Sequence, residues 1–145
     1  MKEIKFEITN QTLEKYNKYY FSIHPRAKKV PIEHPYHPSI NVWCIMPRMQ
    51  MNALKQKWKD FGIWLMNDLG YAGMKIDQYE IEYITYMPTK RRSDPDNFTE
   101  KFFNDALVES GFVVDDDGRH MRSLTLKTDY DKDNPRTEVT IRILD

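Results

Sequence analysis

The sequence predicts an α+β fold, a small mixed sheet with two main helices, on three observations. Apolar residues alternate with polar ones at Ile4, Phe6 and Ile8, and again from Ile76 to Met87, which is the period of a half-buried strand. The period lengthens to three or four over Arg48–Leu69 and Asn97–Ser110, as in amphipathic helices. Two further strand-like runs, Met121–Lys127 and Thr137–Ile143, flank the turn-rich segment DYDKDNP and predict a hairpin. With 145 residues, 40% of them hydrophobic, the chain is expected to form one domain over 1–145 with a sizeable core.

Between Thr9 and Ile40 the pattern is weak. Tyr16, Tyr19, Tyr20 and Phe21 predict a short helical piece, and Pro25, Pro31, Pro35 and Pro38 predict irregular chain after it. In the helix that follows, Met51, Leu54, Trp58, Phe61, Leu65 and Leu69 form one apolar stripe, and Gly70 stops it. Lys55, Lys57 and Lys59 point away from that stripe or flank it and read as a solvated face, with a DNA-contacting surface as the alternative. The strand at 76–87 directs Tyr79, Ile81, Tyr83 and Thr85 to one side, and the basic loop Pro88–Ser93 succeeds it. Asn97 with Glu100 has the form of a capping box opening the second helix, and Gly111 ends that helix.

Twenty-two basic and twenty-two acidic residues cancel, so global charge does not point to nucleic acid. One cysteine, Cys44, excludes an intramolecular disulfide and a cysteine-based zinc cluster, and its apolar neighbours predict a packed thiol. The start, MKEIKFEITN, does not read as a signal peptide, and no stretch approaches the roughly 18 apolar residues of a membrane span. A cytoplasmic protein without a membrane partner is expected.

The stretch Lys90–His120 carries the chemistry. Asp94 and Asp96 flank Pro95, so in extended chain both carboxylates project to the same side. Asp115, Asp116 and Asp117 follow the helix and the apolar run Phe112-Val113-Val114. A helix of about fourteen residues is roughly 21 Å long, which sets the two acidic groups at opposite ends. The five steps from Gly111 to Asp116 reach roughly 17 Å at most, so the groups meet only if that segment runs straight back, or across a dimer. Carboxylates gathered closely require a cation, and oxygen ligands select a hard ion: Mg2+, with Mn2+ as its alternative. Arg91, Arg92 and Lys101 would then hold phosphates. Taken singly, DPDN reads as a helix cap and DDDG as a solvated turn.

In combination, Arg91-Arg92, Asp94-Pro95-Asp96-Asn97, Asp105-Ala106-Leu107, Gly111 and Asp115-Asp116 occur in order at compatible spacing. This stretch resembles the RusA-type Holliday-junction resolvases of phages and prophages. The resemblance implies a homodimeric α+β endonuclease that cuts four-way DNA junctions with magnesium. It assigns Asp94, Asp96 and Asp116, joined by Asp115, to the metal, and Lys101 to a catalytic or phosphate-contacting role. Lys90, Arg91, Arg92, Asn97 and Arg119 become the expected DNA contacts. Glu100 stands where the family pattern has its lysine, with Lys101 one residue later. The alternatives are a non-catalytic DNA-binding or regulatory module, and a nuclease of broader flap or branched specificity.

Two further patterns read as decoys. Asp129, Asp131 and Asp133 imitate a calcium loop, but Asn134 and Thr140 replace its required glycine and glutamate, so a hairpin turn is expected. His24, His34, His37 and His120 lack the spacing of a zinc pair, and His34 and His37 are expected to be exposed.

Overall fold

The computed structural model describes residues 2–90 and 98–144. It is an α+β fold with four strands in one mixed sheet and four helices, as the sequence predicts. Strand β1 (Lys2–Ile8) buries Ile4, Phe6 and Ile8 on one face. Thr9 ends it and caps α1 (Asn10–Ile23): its Oγ1 accepts from the Thr12 amide, and Thr12 Oγ1 accepts from the Thr9 amide. The short piece expected here is therefore a helix of 14 residues, held by Tyr16 packing on Phe61 and Trp64 at 5.1 Å.

An irregular stretch leads to the five-residue α2 (Ile40–Cys44) and then to α3 (Arg48–Asp68). Helix α3 buries Trp58, Phe61, Gly62, Leu65 and Met66, so the apolar stripe is as read in its second half, while Leu69 is exposed. Gly70 takes φ +81° just past the helix, where a side chain would be strained. Cys44 is exposed on α2 and not packed: apolar neighbours in a short surface helix gave no covering partner.

Strand β2 (Tyr79–Met87) buries Tyr79, Ile81, Tyr83 and Thr85 along one face. Helix α4 (Lys101–Glu109) begins later than the sequence predicts, after Glu100 with no side-chain cap, and Asn97 lies outside the described residues. Strands β3 (Met121–Tyr130) and β4 (Arg136–Ile143) complete a sheet of order β1-β4-β2-β3.

The expected hairpin of the last two strands does not form. Strand β2 lies between them, antiparallel to β4 and parallel to β3. A parallel neighbour needs a crossover, and α4 supplies it between β2 and β3. The segment between β3 and β4 is not the hairpin turn expected, because it joins strands on either side of β2: Asp131 accepts from the amides of Asp133 and Asn134 and pairs with Arg136 at 2.7 Å.

The core lies against the buried face of the sheet. Phe103 of α4 packs on Phe6 and Tyr83, and α3 closes on α4 through Gly62, where an added Cβ would stand 2.5 Å from Ala106 Cβ. The opposite face is polar, with Arg142 bridging Glu3 and Glu80, and Lys127 pairing with Glu82. Among the described residues no helix is long and apolar enough to cross a membrane.

Candidate active site

The reversal after α4 decides where the second acidic group falls. Gly111 takes φ +76°, a conformation that glycine adopts without a Cβ penalty. The amides of Phe112 and Val113 then bond back to Leu107, and Val113 forms a parallel bridge with Ile76. Phe112 and Val113 are fully buried, so the apolar triplet draws the chain back across the core before the acids emerge.

Tyr79 fixes the next step by donating its hydroxyl to the Asp115 carbonyl at 2.9 Å. Asp116 arrives half-buried within electrostatic reach of α4. Its carboxyl is raised first by burial, then by the Asp105 carboxylate, while Lys101 opposes the shift. Asp116 thus returns, within one subunit, toward the start of the helix it follows.

A buried polar pair supports this wall. Tyr83 donates to Asn104 Oδ1, both side chains lying inside the core. Burial, with Glu100 and Asp116 nearby, keeps the Tyr83 phenol protonated. Glu100 is itself raised by burial and stands half-exposed at the head of α4, while Lys101 is exposed beside it. Sequence reading placed Tyr79 and Tyr83 on one side of a strand without a role at the site, and passed over Asn104. The available signal was a lone asparagine on the apolar side of α4, a position that demands a buried partner.

The acidic turn also places Asp115, Asp117 and His120 so that one ligand atom from each lies within 4.8 Å of the others. The donor set, carboxylates with one imidazole, suits a divalent cation. Asp117 is already engaged: its Oδ1 accepts from the amides of Arg119 and His120 and meets His120 Nδ1 at 2.6 Å. That bond lowers the Asp117 carboxyl and raises the His120 imidazole. A cation here competes with a formed turn, whereas the Asp116 carboxyl is raised by burial and by the Asp105 charge, so a cation there relieves an unfavourable site. Asp116 is therefore the better donor of the two. Neither Asp117 nor His120 was expected as a ligand, because a turn residue and a metal ligand look alike in sequence.

Of the other expected site residues, Asp94, Asp96, Arg91, Arg92 and Asn97 lie outside the described residues. Lys90 is exposed, its ammonium 5.4 Å from the centre of the Tyr130 ring, and Arg119 is exposed at the end of the acidic turn. His34 is exposed as expected. His37 is not. It is wholly buried against Trp58, Tyr83 and Phe103, and burial pushes its imidazole down to about 3.

No curated protein matches the chain. The family model described as endodeoxyribonuclease RusA matches residues 5–142, which spans all eight elements apart from the outermost residues of β1 and β4. With the acids brought back along α4 and the match covering nearly the whole sequence, this chain belongs to the RusA family of endodeoxyribonucleases.

Proposed function

We propose that the protein is a magnesium-dependent endonuclease that cleaves phosphodiester bonds at four-way DNA junctions and acts as a homodimer. The observation that carries the site assignment is the return of Asp116 to Lys101 and Asp105 within one subunit. In this reading Asp94, Asp96 and Asp116, with Asp115 beside them, hold the ion, and Mn2+ can replace Mg2+. When bound, the ion supplies charge neutralisation at the scissile phosphate and activation of the attacking water.

The residues of the chain do the rest. Lys101, exposed at the head of α4, neutralises a phosphate oxygen. Lys90, Arg91, Arg92, Asn97 and Arg119 position the DNA backbone, which fixes register and carries no sequence information. Tyr79 and the Tyr83–Asn104 pair hold the acidic turn and α4 in place, so the carboxylate stays poised while the substrate enters. Symmetric resolution needs two nicks, which two subunits supply.

A synthetic four-way junction, a flap and a linear duplex incubated with and without magnesium test this reading. The wild type is expected to cut the junction only with the ion, and Asp96→Asn to bind the junction without cutting. Equal cutting of flap and junction would favour the broader nuclease. Binding with no scission under any condition would favour a non-catalytic module.

A further inference from the structure

The chain holds one long stretch without charge. Residues 34–47 contain no Asp, Glu, Lys or Arg, whereas no other such run exceeds seven residues in a chain that is 30% charged. The stretch ends in α2 and the turn into α3, at the surface. Helix α2 buries none of its five residues. Trp43 turns inward and packs on Phe102 of α4, their ring centres 5.3 Å apart. Its neighbours face out: Val42 is 52% exposed, Ile45 83%, and Met49, in the first turn of α3, 85%. Cys44 is exposed among them. Ile45 and Met49 are the two most exposed large apolar side chains among the described residues.

Scattered apolar side chains on a surface are ordinary, but a cluster of them free of charge marks a protein–protein contact. The composition is that of an interface core, which enriches methionine and depletes charged residues. The exposed area agrees. A self-contained folded monomer of this mass exposes roughly 7,900 Å². This chain of 17.5 kDa exposes 8895 Å². The excess, roughly 1,000 Å², is close to the roughly 800 Å² that each partner gives to a stable complex. DNA does not suit the patch, because phosphates are held by cations and residues 34–47 supply none.

We propose that this patch is the two-fold interface with a second copy of this chain, Val42, Cys44, Ile45 and Met49 of one copy packing on the same residues of the other. The inference rests on the reading of the protein as a homodimer and names the surface that makes it one. A two-fold contact sets each residue near its own image, so a charge close to the axis would meet a like charge; an uncharged apolar surface avoids that. Trp43 anchors α2 on Phe102, the residue after Lys101. The interface is therefore joined directly to the helix that carries Lys101 and Asp105.

Light scattering of the full chain across a concentration series is the test. The double variant Ile45→Glu/Met49→Glu is expected to weaken dimerisation by about a hundredfold or more, since like charges then face each other across the axis. Its circular-dichroism spectrum should stay that of the wild type, because both side chains are exposed. Leu69→Glu, at an exposed apolar residue just past the other end of α3, is expected to stay dimeric. Cys44, the one cysteine of the chain, gives a second readout: a short bismaleimide should join two wild-type chains through it and fail with the double variant. On a plasmid-borne cruciform with magnesium, the wild type should yield linear DNA and the double variant nicked circles. A double variant that stays dimeric, or crosslinks as well as the wild type, overturns the interface and leaves the homodimer standing. A monomeric wild type overturns both. A wild type that dimerises through this patch and cuts no junction leaves the interface standing and overturns the nuclease reading.

Discussion

Asp116 shows what a single carboxylate contributes before any ion arrives. Burial and the Asp105 charge raise it above its ordinary value of 3.8, so its charged form opposes folding at neutral pH. Because the folded value lies above the unfolded one, that cost is present at neutral pH, fades as pH falls through the folded value, and is gone below the unfolded value. Asp116→Asn is therefore expected to raise the melting temperature of the metal-free protein at pH 7 by roughly 1–4 °C, while abolishing cleavage. Calorimetry at pH 7 and pH 4 should show the gain shrinking at the lower pH, and a lower melting temperature at pH 7 would sink the account. The three acids after an apolar triplet and a glycine were legible in the sequence, but the place of Asp116 beside α4 was not. His37 was not, since a histidine among prolines looks exposed until Trp58 and Phe103 are seen to enclose it.

Among the elements, the contact of α3 with α4 sets how firmly Lys101 and Asp105 are carried. Gly62→Ala improves helix propensity by about 1 kcal/mol, but overpacking costs about 1–3 kcal/mol. The new Cβ would lie 2.5 Å from Ala106 Cβ, on a partner helix that gives only by moving its backbone. Urea unfolding is expected to show a net loss of up to about 2 kcal/mol, and cleavage should fall with it as α4 shifts. No change in either would mean the helices slide apart without consequence. The periods of β1, β2, α3 and α4 were readable because each buries one face. Their partners were not: alternation in β3 and β4 says that each pairs, and nothing in it says that β2 stands between them. The strand–helix–strand order of β2, α4 and β3 held the missing clue, since it is the order a parallel crossover needs.

For the whole molecule, zero net charge means that DNA affinity comes from where the cations sit rather than from their surplus. The proposed homodimer is expected to appear at twice the 17.5 kDa chain mass in light scattering at working concentrations, and a monomer there would count against paired nicking. The α+β class could be read from periodicity alone, but the return of Asp116 toward the start of α4 could not. It depends on the turn at Gly111 and on the depth at which Phe112 and Val113 are buried, both properties of the assembled core.

Strand β4 is hydrogen-bonded on both sides, by β1 and by β2, yet it is the last of the described strands. During synthesis, the slot at the middle of the sheet stays vacant until residues through Ile143 have left the ribosome. Before that moment β1 and β2 each present a bare edge, a condition that invites mispairing and slow closure. A chain released before Ile143 is therefore expected to expose two unpaired strand edges and to aggregate.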